Sequence, residues 1–196
     1  LFNPRPEEPQ LALEEEAKLR VSHREFLSLL RSAGIEYDVG QPIEQRDAFF
    51  DFPDGRLARA DVALRIRRER GKTVITYKGP RIYSEGVKTR LELEGEPGSP
   101  EAEEALKVVG VQPRGDLETS LKLAGLIPIV EVRKVRTPLR LEGSGLRVYL
   151  DRVEGLGEFV EVEGTKEEVR ELLLRLNLVD RSVPETYAEL LLKRPR

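Results

Sequence analysis

The sequence predicts an α+β fold in which antiparallel strands, each with one charged and one apolar face, are covered on the apolar side by amphipathic helices. Seven segments alternate charged and apolar residues at the period of two that a strand imposes, and four others space their apolar residues as a helix does. The charges are also sorted. Arg and Lys gather in some strands and carboxylates in others, where a merely solvated sheet face would mix polar types.

Residues Leu1 to Gln10, with three prolines and no periodicity, read as a loose lead-in to a single domain over 11–196. From Leu11 to Arg20, Glu14, Glu16 and Lys18 share one strand face, and Leu13, Ala17 and Leu19 share the other. Ser22 and Glu25 give the signature of a capping box, opening a helix that carries Phe26, Leu29 and Leu30 and stops at Gly34. Val62 to Arg68 and Thr73 to Lys78 read as strands joined in a hairpin around Arg70-Gly71-Lys72, with Arg65 and Arg67 opposite Leu64 and Ile66. Lys88 to Glu94 aligns Lys88, Arg90, Glu92 and Glu94 against Leu91 and Leu93. A turn-rich joint at 95–100 divides the domain into two halves, and helical spacing follows from Glu101 to Val109. The second half supplies strands at Ile129 to Arg136, Arg147 to Asp151 and Glu158 to Glu163. Helices at Lys166 to Leu176 and Pro184 to Leu192 follow, the last with its proline near the first turn.

Composition narrows the chemistry. Of 196 residues 35% are charged and 39% apolar, yet the net charge is only −3. Such balance argues against a nucleic-acid polymer or a membrane surface as partner, since both select a basic excess. With no cysteine, disulfides, zinc-thiolate sites and thiol nucleophiles are excluded. The one histidine, His23, falls in the first helix and reads as a surface residue, so no Ser-His-Asp or Cys-His set can be assembled. No apolar run approaches the ~20 residues of a membrane span, and the expectation is a soluble, cytoplasmic protein.

If the sheet closes into a barrel with its charged faces inward, it encloses a cavity lined by cations and carboxylates. Buried charges need partners, and those that satisfy both sets together are a polyanion and divalent cations. Guanidinium groups suit phosphate oxygens, and carboxylates suit Mg²⁺ or Mn²⁺.

The same residues carry a resemblance. Glu14-Glu15-Glu16-Ala17-Lys18 has the E-x-E-x-K form that marks the CYTH superfamily. Gln45-Arg46-Asp47-Ala48-Phe49-Phe50-Asp51 is similar to its Q-x-D-x-Y-F/Y-D element, with Phe49 where tyrosine is usual. Ala63-Leu64-Arg65-Ile66-Arg67, Thr76-Tyr77-Lys78-Gly79-Pro80 and Arg90-Leu91-Glu92-Leu93-Glu94 resemble three further elements in the family's order, and Lys134-Val135-Arg136 resembles a later basic pair. The block from Leu150 to Glu163 looks like L-D-x-V-x-G-L-G-x-F-x-E-x-E of the CyaB-type class IV adenylyl cyclase branch, and Thr186-Tyr187 is similar to the closing S/T-Y.

The resemblance implies a closed antiparallel tunnel with helices outside, a triphosphate tunnel metalloenzyme that binds ATP or another triphosphate with two divalent ions, Mg²⁺ or Mn²⁺. It implies that Lys18, Arg65, Arg67, Lys78, Arg90, Lys134 and Arg136 hold phosphate, with Lys18, Lys78 and Arg136 as the catalytic cations. Glu14, Glu16, Glu94, Asp151, Glu161 and Glu163 would bind the metals, with Glu92 orienting them, and a homodimer would be in keeping with this branch. Three functions stay open. A cyclase converts ATP to cyclic AMP and pyrophosphate; a triphosphatase releases orthophosphate from inorganic, thiamine or nucleoside triphosphate; a non-catalytic module only binds the polyphosphate. The cyclase leads on the C-terminal block.

Overall fold

The computed structural model describes residues 12–194, so the lead-in expected over 1–10 lies outside the described residues. Ten strands form one sheet, and eight of them close on themselves. The ring runs β1 (Ala12–Leu19), β10 (Gly157–Glu163), β9 (Arg147–Val153), β8 (Ile127–Leu141), β3 (Ile43–Asp51), β4 (Ala63–Glu69), β5 (Lys72–Lys78) and β7 (Val87–Gly95). Pairing of β7 with β1 shuts it, in the register Glu14↔Arg90 and Glu16↔Lys88. Every pairing is antiparallel. β2 (Tyr37–Val39) and β6 (Ile82–Ser84) add to β8 and β7 outside the ring.

Closure follows from local chemistry. Arg70 and Gly71 both hold positive φ, at 47° and 76°, between paired Glu69 and Lys72, which makes the two-residue hairpin turn whose twist matches its flanking strands. Strand parity does the rest: once one register is fixed, every second side chain enters the barrel. Leu19, Val148, Val160 and Val162 face outward and pack under Phe26 and Leu30 of α1 (His23–Ser32) and Val169, Leu172 and Leu173 of α5 (Lys166–Arg175). Leu64, Ile66, Ile75 and Leu93 face outward beneath Ala105 and Leu106 of α3 (Pro100–Val108) and Leu121 of α4 (Leu117–Leu123). A third, smaller cluster sits among inward positions. Val132, Val153 and Phe159 meet Tyr187 and Ala188 of α6 (Tyr187–Leu192), with the Phe159 and Tyr187 rings edge to face at 5.2 Å.

Several expectations need correction. The last helix starts at Tyr187, capped by Thr186 in a complete capping box, so Pro184 precedes the helix instead of entering its first turn. His23 is not a surface residue. Its Nε2 lies 3.1 Å from the carbonyl oxygens of both Asp151 and Phe159, and its backbone N–H donates to Glu158 at 2.9 Å. The strand expected over Ile129 to Arg136 extends at both ends, because β3 and β9 supply ladder partners from Ile127 to Arg140. The Gln45 to Asp51 motif forms most of β3, and α2 (Arg56–Arg59), β2, β6 and α4 are additional.

Candidate functional site: a charged tunnel

The barrel interior holds a cavity of about 460 Å³. Nine basic side chains and seven carboxylates line it, so a polyanion meets a small cationic surplus that grows whenever a carboxylate is protonated or bound by a metal. All seven cations singled out from the sequence line it, and so do Glu14, Glu16, Glu94, Glu161 and Glu163.

At the level of β8, β9 and β10 the anchor is Asp151, wholly buried. Arg136 donates to it through Nε at 2.8 Å and Nη2 at 2.7 Å, Lys134 Nζ stands at 3.1 Å, and the Tyr187 hydroxyl donates at 3.0 Å. Burial opposes its charge, but Lys134 and Arg136 outweigh that and hold the carboxyl below its ordinary value. With its oxygens engaged in this way, Asp151 braces the cations behind the cavity wall. Arg136 also pairs with Glu161, whose other oxygen is 3.3 Å from Lys18 Nζ. Lys18 and Lys134 lie 4.4 and 5.0 Å from the Tyr187 ring centroid, a cation–π setting for two ammonium groups. Burial, then Arg136, pulls Lys134 down to about 8.

Across the barrel, Arg67 grips Asp47 with Nε and Nη2 at 2.7 and 2.8 Å. Arg65 donates to Thr76 at 3.0 Å and to Glu94 at 2.8 Å, and its Nε is buried with no partner. Lys78 Nζ is shared by Glu14 at 2.5 Å and Glu92 at 2.8 Å. One ammonium cannot balance two carboxylates. Burial, joined by the Glu14 charge, raises Glu92 to about 7 against the pull of Lys78. Arg90 is turned differently, donating to the Gly79 carbonyl from Nε at 2.9 Å and Nη2 at 2.6 Å and leaving Nη1 buried and unpartnered.

Of the six carboxylates expected to bind metal, three converge. Glu14, Glu16 and Glu163 each present an oxygen within 4.8 Å of the others. Their environments differ. Burial alone would raise Glu16, but Lys88 holds it down at about 2, whereas burial, then Glu16 and Glu161, pushes Glu163 up to about 7. Glu14 Oε2 is buried without a hydrogen-bond partner. An orphaned carboxylate oxygen, a reluctant ionisation and three hard donors together fit a divalent cation. Glu94, Asp151 and Glu161 stand apart from this trio, each bound to an arginine.

Lys88, Asp47 and Tyr187 also line the cavity, although the sequence does not single them out as site residues. Lys88 pairs with Glu16 inside the barrel, and its signal was its parity with Arg90. Asp47 shares the β3 face with Gln45 and Phe49. Nothing local marks Tyr187, which reaches Asp151 only because α6 closes the third cluster.

The CYTH domain family matches the chain over residues 12–175. A Methanocaldococcus jannaschii protein named as a candidate adenylate cyclase is 28% identical over 190 residues, covering 91% of this chain and 98% of its own length. Among solved structures, the PH1819 protein of Pyrococcus horikoshii OT3 is similar at 29% identity with a TM-score of 0.66, over 93% of this chain and 99% of that one. A conserved hypothetical protein of Pyrococcus furiosus is similar at 26% identity and a TM-score of 0.62, over 90% and 99%.

Proposed function

The chain belongs to the CYTH domain family, and from that premise we propose that its tunnel carries out metal-dependent chemistry on a triphosphate, with ATP cyclisation as the favoured reaction. One observation carries the reading: a cavity inside the closed ring of strands joins a cationic surplus to a trio of carboxylates. A triphosphate alone would leave Glu14, Glu16 and Glu163 opposed to it, and a metal alone would leave the cations unanswered.

Lys18, Arg65, Arg67, Lys78, Lys134 and Arg136 turn donors toward phosphate oxygens while Asp151 stays paired with Lys134 and Arg136 behind them, and Arg90 offers its unpartnered Nη1. Glu14, Glu16 and Glu163 would hold Mg²⁺ or Mn²⁺, which when bound supplies positive charge against the phosphate oxygens. In cyclisation the 3′-oxygen of ATP forms a bond to the α-phosphorus as the bond to pyrophosphate breaks, and the hydroxyl proton is lost to solvent. The cations answer the charge that develops on the leaving pyrophosphate, so positioning and electrostatics do the work. The name of the Methanocaldococcus jannaschii relative supports this choice.

A triphosphatase is the second reading, and a specific observation favours it. Of the three rings that line the cavity among the described residues, Tyr187 faces Lys18 and Lys134 and Tyr149 faces Arg136 at 4.3 Å, which leaves Phe49 alone to stack on a base. The test is incubation with ATP and, separately, tripolyphosphate under Mg²⁺ and Mn²⁺. Cyclic AMP with pyrophosphate supports the cyclase; orthophosphate alone rejects it in favour of hydrolysis.

A further inference from the structure

The segment that leads into α6 is held from both sides of the barrel wall. On the inner side, the Glu185 carbonyl accepts from Lys18 Nζ at 3.4 Å and the Tyr187 hydroxyl donates to Asp151 at 3.0 Å. The outer hold comes from Arg81, between β5 and β6. Its Nη1 donates to the Pro184 carbonyl at 3.0 Å and to Glu189 Oε2 at 2.9 Å, and Nη2 reaches Glu189 Oε1 at 2.5 Å. Nε and the backbone N–H of Arg81 bind the two oxygens of Asp61, each at 2.8 Å.

Arg81 therefore ties three parts of the chain together: its own loop, the bend before β4, and the start of α6. Glu189 is engaged twice over, since its Oε2 also accepts from Thr186 N–H at 2.7 Å in the capping box. Beneath the clamp lies a second cavity of about 80 Å³, lined by Asp61, Arg81 and Glu189 and sharing Phe49, Ala63, Arg90 and Thr186 with the main one. The clamp thus spans a gap in the packing. α6 has six residues and little helical stability of its own, so contacts outside it decide where Tyr187 sits.

We propose that Arg81 is a positioning residue for the tunnel: by pinning the Pro184–Glu189 turn from outside it fixes Tyr187 against Asp151, and through Asp151 the phosphate-facing Lys134 and Arg136. Only its ligand-binding consequence rests on the triphosphate reading. The local electrostatics agree. Burial would raise Glu189, but its hydrogen bonds to Arg81 hold it at about 2, and Asp61 is likewise held below its ordinary value by Arg81 despite burial. The Tyr187 ring packs edge to face on Phe159 at 5.2 Å and beneath the Lys18 and Lys134 ammonium groups, so the NMR signals of that ring report whether it remains seated.

The test is NMR of the five tyrosine rings, carbon-13 labelled, in the parent, Arg81→Gln and Arg81→Lys at one neutral pH, with Tyr187→Phe identifying the Tyr187 signal by its loss. The expected result is that Arg81→Gln moves the Tyr187 ring signal toward the position of an exposed tyrosine, with Arg81→Lys between, since lysine keeps the charge and loses the two-pronged grip. Tripolyphosphate with Mg²⁺ should bind about tenfold more weakly to Arg81→Gln, by calorimetry at matched folded fraction. A Tyr187 ring signal unmoved in Arg81→Gln overturns the proposal. If Arg81→Gln does not fold, an unmoved ring signal in Arg81→Lys does the same. A parent that binds no tripolyphosphate, combined with a shifted Tyr187, rejects the triphosphate reading and leaves the positioning role standing.

Discussion

Arg136 meets Asp151 with two parallel hydrogen bonds, at 2.8 and 2.7 Å, where the carboxylate is wholly buried. The pair fixes the guanidinium plane, and Lys134 and Tyr187 complete the shell around the same two oxygens. Removing the carboxylate charge leaves buried Lys134 without its counter-ion and Arg136 with Glu161 alone. Asp151→Asn is expected to destabilise the protein by about 3–5 kcal/mol, measured by urea unfolding. Tripolyphosphate should restore part of the loss by supplying the missing negative charge. A variant as stable as the parent would mean that Asp151 does not hold the cations in place.

Glu163→Gln tests the carboxylate trio. It removes one oxygen ligand and also relieves repulsion from Glu16 and Glu161, which lie first among the charges that raise Glu163. Mn²⁺ affinity should fall at least about tenfold by calorimetry while the metal-free melting temperature holds or rises. Unchanged Mn²⁺ binding would remove Glu163 from the site.

Stability of the metal-free barrel should pass through a maximum in mildly acidic solution. Glu92 and Glu163 have folded pKa values raised to about 7 from an ordinary 4.5, so their contribution is complete below about 4.5 and is lost as pH rises through about 7. Glu16, lowered to about 2, acts in the opposite sense, contributing above about 4.5 and losing that contribution as pH falls through about 2. Urea unfolding in chelator should therefore show greatest stability near about pH 5. Stability that climbs steadily from about pH 5 to about pH 8 would contradict both raised carboxyls.

Arg65→Ala removes a guanidinium whose Nε is buried with no partner and whose Nη2 is shared between Thr76 and Glu94. Tripolyphosphate binding should weaken about tenfold or more. An unaltered dissociation constant would mean that Arg65 serves only its ion pairs with Glu94 and Asp47.

Much of this was legible in the sequence because strand parity assigns faces. Arg65, Arg67, Lys134 and Arg136 could be set on the charged side of their strands before any contact was known, and the same rule would have added Lys88. Parity does not name partners. Nothing in the strand of Glu94 says that it binds Arg65, or that Glu14 and Glu163 meet across β1 and β10; barrel closure and stagger decide that. Short elements were also hidden. β2 and β6 are three residues each, too brief to show a period, and α4 begins at Leu117 just after a Pro113-Arg114-Gly115 turn that reads as loop. The turn of His23 onto the carbonyls of Asp151 and Phe159 in the barrel wall is a tertiary contact without a local signal.

We propose that the tunnel binds a triphosphate and a divalent cation together, and calorimetric titration of tripolyphosphate into the protein, once with Mn²⁺ and once with chelator, tests this. One triphosphate per chain is expected, bound at least about tenfold more tightly when Mn²⁺ is present, because the ion would turn the Glu14, Glu16 and Glu163 side of the cavity from repulsive to attractive. No binding in either condition, or an affinity indifferent to the metal, would contradict it.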